Sequence, residues 1–469
     1  MLTFPEHVDH LEQVFMLFKV LCNCILCGFA VTLCAQDGFT SLTPGTDLSG
    51  WESYGGVAPY EVKGDTVIGT AVTNTPNTFL CTDRDYGNFV LEMEFFDEAP
   101  LNSGVMVRGQ WRQQDDIRRV YGYQVEIDPS PRGYTAGIYD EARRGWIYPL
   151  HYNDPARTAY RHGEWNKLRV EFIDDNLRTF LNGQSAANLV DSVDASGMIC
   201  LQVHSVYMPD MANKKVMWRN IRIKENATTD DQMSAVLARE ENLLVNQLSE
   251  TEQRQGWRLL FDGRTTDGWR GAKLDDFPES GWEVVDGELR VLPGNGGESS
   301  NGGDIVTKEQ FGDFELVFEF KPTQGANSGV KYYVDPDLNK GAGSAIGLEF
   351  QILDDERHPD AKAGVMGNRT MGSLYDLIPA KPVDVSRNKD YSIDDWNRGR
   401  IVAKDGKVEH WLNGYKVVEY DRNSQMFQAL VNYSKYKDWE NFGRWPQGPI
   451  LLQDHGNAVA FRTIKIREL

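Results

Sequence analysis

Two short segments in the second half of the chain carry polar side chains at alternate positions. They read Gly347-Leu348-Glu349-Phe350-Gln351-Ile352 and Leu451-Leu452-Gln453-Asp454-His455. Because successive side chains of a β-strand point to opposite faces, the apolar residues can face a core while the polar ones face a cleft. The predicted cleft residues are a carboxylate, two amides and an imidazole, namely Glu349, Gln351, Gln453 and His455. Such groups can transfer protons and hold the hydroxyl groups of a ligand.

A third segment adds a cation and a phenol to the same predicted cleft. It runs from Asn327 to Tyr333, and the alternation assigns Lys331 and Tyr333 to the cleft. Asn327 is a further candidate for ligand contact, although the Asn-Ser-Gly sequence also fits a tight turn. Each residue taken singly has a structural interpretation as well, because exposed glutamates are commonly solvated and single histidines are commonly structural.

The chain repeats itself, and the repeat sets its domain organisation. Residues 38–51 align without a gap on residues 256–269, and residues 86–105 align on residues 311–330. Later matches follow in the same order: Glu164-Trp165-Asn166 with Asp395-Trp396-Asn397, Leu181-Asn182-Gly183 with Leu412-Asn413-Gly414, and Leu201-Gln202-Val203-His204 with Leu452-Gln453-Asp454-His455. We therefore predict two copies of one domain, residues 36–224 and 256–469.

The first copy carries its own version of the polar set. The alternation assigns Gln124 and Glu126 to its cleft, so amide and carboxylate have exchanged places relative to the second copy. The remaining candidates for substrate binding occupy positions that match the second-copy set, and they are Arg108, Gln202 and His204.

The segments within each copy predict β-structure. Apolar and polar residues alternate with period two, as in residues 89–95, and Gly-rich turns separate these runs. The predicted fold class is therefore all-β, with two tandem β-sandwich (jelly-roll) domains of about 200 residues each. Between them, residues 225–255 lack proline and carry spaced apolar residues after Thr229 and Asp230, which could cap a helix. This pattern predicts a helical linker.

The composition and the absence of common motifs exclude several classes of protein. The chain has 469 residues, of which 25% are charged, and its formal net charge is -20 at pH 7. An acidic surface repels phosphate backbones and anionic lipids, so we expect no nucleic-acid partner. The sequence has no G-x-S-x-G elbow, P-loop, dinucleotide fingerprint or H-E-x-x-H motif, which disfavours nucleophilic triads and redox cofactors. The oligomeric state is left open.

Residues 1–35 are predicted to form a secretory signal. Residues 19–35 combine one cation with a short apolar run, and Met16 is the natural start because the preceding residues include several acids and a proline. After cleavage, Cys81 and Cys200 are the cysteines that remain. The sequence leaves their pairing open. We therefore expect a secreted or periplasmic protein that is not inserted in a membrane once the signal is removed.

The second copy contains an ordered set of motifs, LFDG, FELVFEF, NSGV, GLEFQILDD, GSLYDLIPA, WNRGRI, HWLNG, ILLQDHG and FRTIKIREL. This set resembles the 3-keto-disaccharide hydrolase family over nearly all of residues 256–469. The first copy resembles the family more loosely over residues 38–224, since it has YQVEIDP for the EFQILD stretch and LQVHS for LQDHG. The resemblance implies a concanavalin-like jelly roll, secretion by bacteria that degrade glycans, and action on glycosides oxidised at C3.

The resemblance also implies a chemistry. A base removes the C2 hydrogen of a 3-keto sugar, an enolate forms and the C1 substituent is expelled, with or without later addition of water. Glu349 or His455 is then the base, and Tyr375 is a candidate acid. The donors to the enolate oxygen or to sugar hydroxyl groups would be Lys331, Gln351 and Gln453.

Two other functions fit the same residues. A conventional glycoside hydrolase would pair Glu349 with Asp354, which the alternation places on the core side or in the following turn. A non-catalytic carbohydrate-binding protein would use the cleft amides and aromatic residues only to hold sugar. No cofactor follows with certainty from the sequence. A Glu, Gln and His cluster is compatible with a divalent metal ion, but its spacing is not diagnostic.

Overall fold

The structure is a computed structural model that describes residues 38–294, 297–382 and 391–469, apart from the side chain of Tyr152. The predicted signal segment, residues 1–35, lies outside these ranges. Within them, two antiparallel β-sandwiches follow one another along the chain, as the sequence predicts. None of the helices in these ranges is long and apolar enough to cross a membrane.

The first domain consists of two sheets. Its strands are β1 (Thr40–Ser41), β2 (Trp51–Gly55), β3 (Tyr60–Lys63), β4 (Thr66–Thr70), β5 (Thr78–Thr82), β6 (Phe89–Asp97), β7 (Ser103–Gln114), β8 (Ile117–Ile127), β9 (Ile138–Glu141), β10 (Gly145–Tyr148), β11 (Asn166–Ile173), β12 (Asn176–Leu181), β13 (Gln184–Val190), β14 (Met198–Val203) and β15 (Lys215–Glu225). One sheet has the order β13-β12-β11-β6-β15-β4-β3, with β1 beside β15, and the other has the order β10-β9-β8-β7-β14-β5-β2. Its short helices are α1 (Asp154–Arg157) and the 3-10 turns Leu150–Tyr152 and Pro209–Met211.

The segment between the domains is not the helix that the sequence predicts. It holds a 3-10 turn at Thr229–Asp231, the two-residue strand β16 (Glu241–Asn242) and the five-residue helix α2 (Glu250–Arg254). β16 pairs in parallel with β13, so the linker extends a sheet of the first domain.

Contacts with the first domain explain why the linker is extended. The backbone NH of Met233 donates to Oε1 of Glu171 at 2.7 Å. The backbone NH of Leu243 donates to Val190 O at 2.8 Å. These NH groups have partners outside the segment, so a helical hydrogen-bond ladder is not needed to satisfy them. Tertiary contacts therefore override the local helical pattern.

The second domain repeats the sandwich. Its strands are β17 (Arg258–Leu259), β18 (Trp269–Gly271), β19 (Trp282–Val285), β20 (Glu288–Val291), β21 (Ile305–Thr307), β22 (Phe314–Pro322), β23 (Asn327–Asp335), β24 (Ile346–Leu353), β25 (Asn397–Lys404), β26 (Lys407–Leu412), β27 (Tyr415–Asp421), β28 (Leu451–Leu452) and β29 (Val459–Glu468). One sheet has the order β19-β20-β29-β22-β25-β26-β27, with β17 beside β29, and the other has the order β18-β21-β28-β23-β24. A 3-10 turn at Pro359–Lys362 and the helix α3 (Gln425–Asn432) lie in its connections.

The period-two pattern decides which side chains enter the core. In β6, Phe89, Leu91 and Met93 are buried, whereas Glu92 and Glu94 on the other face are only half-buried. The two sheets of each domain pack their apolar faces together, and each domain has its own large hydrophobic core. The alternation therefore predicts the layers correctly.

A disulfide joins Cys81 of β5 to Cys200 of β14. The two residues lie directly opposite each other on neighbouring strands, although they are 119 residues apart in the sequence. The pairing that the sequence leaves open is thus made across one sheet of the first domain.

A buried carboxylate connects the linker to the second domain. Glu315, on β22, has a side chain only 2% exposed and forms ion pairs of 2.7 Å with Arg239, 2.6 Å with Arg400 and 2.6 Å with Arg467. Although burial opposes ionisation, the three guanidinium groups lower the pKa of Glu315 to about 2. The charged carboxylate therefore holds Arg239 of the linker against the sheet.

Replacing Glu315 by Gln should destabilise the protein by about 3 kcal/mol at neutral pH, because it removes the buried charge that three partly buried guanidinium groups share. The folded pKa lies below the usual 4.5, so the stabilisation is complete above pH 4.5 and is lost as the pH falls towards 2. Chemical denaturation of both proteins across this range would measure the difference. The Glu309→Gln variant removes the exposed partner of Arg258 and should cost less than about 1 kcal/mol. Equal losses in the two variants would contradict the assignment.

Candidate functional site in each copy

Three strands of the second domain bring most of the predicted residues to one sheet face. β23 lies between β28 and β24, with Lys331 opposite Glu349 and Gly329 opposite Gln351. The backbone NH of Gln453 donates to Gly329 O at 3.0 Å, which fixes Gln453 beside the same row. Lys331, Glu349, Gln351 and Gln453 therefore lie together, as the alternation predicts.

The Glu349 carboxylate is buried beside an ammonium group. It lies 3.7 Å from Nζ of Lys331, and both side chains are less than one-tenth exposed. Lys331 also donates to the hydroxyl of Ser344, which in turn donates to the buried carboxylate of Asp304. Burial raises the pKa of Glu349, although the ammonium groups of Lys331 and Lys435 oppose the rise. Glu349 consequently holds its proton more readily than an exposed glutamate does.

Gly329 leaves the space that the Glu349 side chain occupies. A Cβ atom at this position would lie 2.4 Å from Oε1 of Glu349. The first copy repeats the arrangement, because a Cβ atom at Gly104 would lie 2.5 Å from the amide carbon of Gln124. Asn327 to Gly329 belong to strand β23, so the tight-turn alternative for this sequence is wrong.

The amides extend the polar surface around Glu349. When the Gln351 amide nitrogen is oriented towards its nearest acceptors, it lies 3.1 Å from Oε1 of Glu349 and 3.0 Å from Ser328 O. The amide of Asn327 lies 3.2 Å from the other side of Gln351. Gln453 donates to Oε1 of Glu298 at 3.2 Å, and its own Oε1 is buried with no hydrogen-bond partner among the described residues. That oxygen can accept a hydrogen bond from a ligand hydroxyl.

A loop that the first copy lacks adds a second lysine. Nζ of Lys435 lies 4.3 Å from the ring centroid of Tyr375. Burial of the ammonium group lowers the pKa of Lys435, although the negative charge of Glu349 opposes this shift. Lys435, Lys331 and Glu298 line a cavity of about 200 Å³. The Ser-Lys-Tyr-Lys sequence of this loop, residues 434–437, has no match in the first copy, and this difference is visible in the sequence. Glu298 lies in a Gly-rich stretch without any periodic pattern.

Tyr375 is held in place by an acid. Its hydroxyl donates to Oδ2 of Asp360 at 2.7 Å, and Arg369 binds the other oxygen of Asp360 at 2.9 Å. Burial, together with this hydrogen bond, raises the pKa of Tyr375. A phenol with a raised pKa is a weaker proton donor than a free tyrosine.

His455 lies two residues beyond Gln453, just after β28. Its ring stands at 90° to the ring of His358, with the centroids 6.0 Å apart. Burial, and then the charge of His455, lowers the pKa of His358. Nδ1 of His455 is buried and has no hydrogen-bond partner within the described ranges. This imidazole can therefore exchange a proton or a hydrogen bond with a ligand at the end of the polar row.

Two predicted contact residues are wrong because the strand register shifts. Tyr333 is buried in the core and donates to Gly312 O at 2.8 Å. Its counterpart Arg108 is only 1% exposed and donates to Asp174 O at 2.9 Å. The two residues have φ angles of 48° and 50°, at equivalent irregularities in β23 and β7. The irregularity ends the simple alternation, so both side chains turn away from the cleft.

The first copy also buries a carboxyl group, but it uses neutral partners. Glu126 accepts hydrogen bonds from Asn102 at 2.6 Å and from Gln124 at 2.8 Å. Gln202 donates to Gln124 at 2.9 Å and completes the predicted set. Burial raises the pKa of Glu126 to about 7, although the amide donors oppose the rise. This carboxyl group therefore titrates near neutral pH.

His204 joins the first-copy set at a large cleft. Glu126, His204 and Arg132 line a cleft of about 1460 Å³. Burial lowers the pKa of His204, whose Nδ1 lies 2.8 Å from Ser205 O. The first copy therefore presents a carboxyl group, amides and a neutral imidazole to a space much larger than the second-copy cavity.

Asp354 is engaged in the turn that follows β24. Its carboxylate accepts from the backbone NH of Gly325 at 2.8 Å and pairs with Arg357 at 3.1 Å. Although burial opposes them, these contacts lower the pKa of Asp354. This placement agrees with the turn position considered for it. No group of three or more His, Cys, Asp and Glu side chains in residues 38–294, 297–382 and 391–469 is arranged to hold a metal ion.

The fold and the paired sites define a class, a tandem β-sandwich protein with a buried carboxyl group on one sheet face of each copy. The 3-keto-alpha-glucoside-1,2-lyase-like domain family matches the chain twice, over residues 38–224 and 256–467. The chain therefore belongs to this family, as two copies of its domain, and it is a carbohydrate-active enzyme.

The chain is also similar to one described relative and to two solved structures. The chain is 34% identical over 238 residues to a 3-keto-disaccharide hydrolase of Bacteroides thetaiotaomicron, covering 46% of this chain and 79% of that protein. A solved structure of a putative glycosyl hydrolase from Parabacteroides distasonis is 29% identical, with a TM-score of 0.41, and covers 48% of this chain and 99% of its own. A second solved structure from that organism is 26% identical, with a TM-score of 0.33, and covers 45% and 99%.

Replacing Glu126 by Gln should change how stability depends on pH. The folded pKa of about 7 lies above the usual 4.5, so the folded protein retains a proton that the unfolded chain has lost at intermediate pH. The contribution of Glu126 to the free energy of unfolding is therefore complete below pH 4.5, and it falls by about 3 kcal/mol as the pH rises through 7. The variant lacks this loss.

Thermal unfolding at about pH 5 and about pH 8 would measure the effect. We expect the unfolding temperature of the variant, relative to that of the wild type, to be higher at about pH 8 than at about pH 5. Glu98→Gln changes an exposed loop residue and should follow the wild type at both. Parallel behaviour of Glu126→Gln and wild type would contradict the assignment.

Proposed function

We propose that the protein cleaves the glycosidic bond of 3-keto-glycosides by abstracting the C2 proton and eliminating the C1 substituent, with or without hydration. Family membership and the relative described as a 3-keto-disaccharide hydrolase support the substrate class. The observation that carries the mechanism is the buried Glu349 carboxyl group 3.7 Å from the Lys331 ammonium group.

The proposed chemistry needs three kinds of group. A ketone at C3 acidifies the hydrogen at C2, so a base can take that proton while negative charge moves to the ketone oxygen. A cation or hydrogen-bond donor then stabilises the enolate. Loss of the C1 oxygen needs a proton, and water can add to the resulting double bond at C1, which makes the net reaction hydrolysis.

We assign the base to Glu349 and the enolate-stabilising charge to Lys331. A base works best when its pKa lies near the working pH, and burial raises the pKa of Glu349 in that direction. Lys331 is fixed by Ser344 and Asp304, so its ammonium group needs little reorganisation as charge develops on the substrate. Gln351 and Gln453 are the proposed partners of the sugar hydroxyl groups.

We assign proton transfer at the leaving group to His455. Its Nδ1 has no hydrogen-bond partner among the described residues, and an imidazole can give and take protons near neutral pH. Tyr375 instead receives a positioning role, because its hydroxyl is committed to Asp360 and its ring lies beneath Lys435. In the first copy, Gln124, Glu126, Gln202 and His204 are proposed to bind sugar.

We further propose that the protein works outside the cytoplasm, in the periplasm or after secretion. The signal pattern in residues 1–35 supports this location. The disulfide between Cys81 and Cys200 supports it independently, because such bonds persist mainly in oxidising compartments.

Incubation with a 3-keto-glucoside and with its unoxidised parent tests the reaction. We expect cleavage of the oxidised sugar only, because the parent lacks the ketone that makes C2 acidic. Separation of the products by chromatography would measure both reactions. Cleavage of the parent would instead indicate a conventional glycoside hydrolase, and binding without cleavage would indicate a carbohydrate-binding protein.

Substitution of the proposed base and proton donor should distinguish a catalytic role of these residues from a purely structural one. Glu349→Gln and His455→Asn should each lower kcat/KM for the 3-keto-glucoside by at least about a hundredfold. Steady-state kinetics on both variants, with circular dichroism to verify folding, would measure the loss. Near-normal turnover in both variants would discard this site.

The first copy supplies the matched comparison for these variants. Glu126→Gln also removes a buried carboxyl group from the equivalent sheet, two residues along the strand. Its loss of turnover should be smaller than that of Glu349→Gln. A larger loss would indicate that the reaction takes place in the first copy.

A further inference from the structure

The large cleft beside Glu126 is built by both domains. Its first-domain wall is the sheet that carries Gln124 and Glu126, and linker residues 241–247 contribute to its lining. The opposite wall consists of second-domain residues around Trp396 and Trp411. The cleft therefore exists only because the two copies are docked in one orientation.

The polar end of this cleft is organised before a ligand arrives. Asn102 and Gln124 hold the Glu126 carboxyl group at 2.6 and 2.8 Å, and Gln202 holds Gln124 at 2.9 Å. Oε1 of Gln202 is buried without a hydrogen-bond partner among the described residues. Interlocked amides and carboxyl groups of this kind suit neutral hydroxyl groups better than an anion.

The other end of the cleft is aromatic and comes from the second domain. Trp396 and Trp411 are half-buried, and both line the cleft. Arg462 and Lys321 lie 3.9 and 4.7 Å from the ring centroid of Trp396. Trp411 donates through Nε1 to Glu409 at 2.9 Å, and Arg400 lies 5.0 Å from its ring centroid, so both indole rings are fixed. The part of each ring that these neighbours leave exposed is an apolar surface against which a sugar ring can pack.

The first copy does not repeat this aromatic surface. The position equivalent to Trp411 is Phe180, which is buried with 1% exposure. The equivalent of Trp396 is Trp165, which is also half-buried beside an arginine, Arg219, but lies outside the lining found for the cleft. The half-buried indole pair is therefore specific to the second domain, where it faces the polar set of the first.

Direct contacts hold the two walls in register. The ring of His151 packs edge-on against the ring of Tyr415 across the domain boundary, with the centroids 4.3 Å apart. Arg398 pairs with Glu241 of the linker at 3.4 Å and donates to Asn242 O at 3.0 Å. These contacts join three parts of the chain and preorganise the cleft.

We propose that this interdomain cleft is a second carbohydrate site, which binds a neutral oligosaccharide longer than a disaccharide. One sugar unit occupies the polar end at Glu126 and His204, and the following units pack on Trp396 and Trp411. The volume of about 1460 Å³ exceeds the usual range of single small-ligand pockets, about 300–1,000 Å³, and is far larger than the 200 Å³ of the second-copy cavity. The proposal deepens the proposed function, since it rests on the protein acting on carbohydrates.

Calorimetric titration of the full chain carrying Glu349→Gln tests the proposal without turnover at the second-copy site. The probes are five neutral hexasaccharides, built from α-1,4-glucose, β-1,4-glucose, β-1,3-glucose, β-1,4-mannose and β-1,4-xylose, and their disaccharides. We expect at least one hexasaccharide to bind about tenfold more tightly than its disaccharide. Failure of all five to bind would overturn the proposal.

Adding Trp396→Ala or Trp411→Ala should weaken hexasaccharide binding about three- to tenfold and reduce the advantage of chain length. Trp165→Ala, in the first-copy position that matches Trp396, should leave the affinity unchanged. Trp411→Phe keeps an aromatic ring and should retain most of the affinity. Unchanged affinity in both alanine variants, or equal loss in Trp165→Ala, would overturn the proposal.

This experiment is separate from the test of the reaction. Hexasaccharide binding that depends on Trp396 and Trp411 supports the cleft whether or not Glu349→Gln abolishes cleavage of the 3-keto-glucoside. If the wild-type chain binds a hexasaccharide that the Glu349→Gln variant does not bind, the sugar occupies the second-copy site. That result would overturn the proposal.

Discussion

A carboxyl group that leaves water must be compensated by charge or hydrogen bonds, and this constraint organises both sites. In the second copy, Glu349 lies beside Lys331, which Ser344 holds in turn. In the first copy, Glu126 is held by neutral amides and its pKa rises to about 7. The equivalent sheet faces of the two copies therefore differ in their electrostatics, because a cation lies beside the carboxyl group in one and amides surround it in the other.

The same constraint connects the domains. Glu315 is buried, and Arg239 of the linker is one of the three cations that keep it charged. The linker is therefore tied to the second domain by charge and to the first by strand pairing between β16 and β13. Two sandwiches that could otherwise move independently become a unit with a shared cleft, which the isolated copies do not possess.

Much of the architecture follows from periodicity. The internal repeat predicts two domains, and the alternation in residues 89–95 predicts which side chains enter the core. The same rule brings Glu349, Gln351 and Gln453 to one face, because strand geometry is local and regular. It fails at Tyr333 and at its counterpart Arg108, where a register irregularity that no sequence pattern signals turns the side chain inward.

The sequence by itself determined the fold class, the duplication and the residue types on each sheet face, since these depend on hydrophobic period and turn chemistry within short segments. Only the tertiary structure decided the path of the linker, the Cys81–Cys200 bond, the partners of Glu126 and the docking that faces Trp396 towards the first copy. These features depend on contacts between residues distant along the chain. Their geometry is set by packing and burial, which no local pattern encodes.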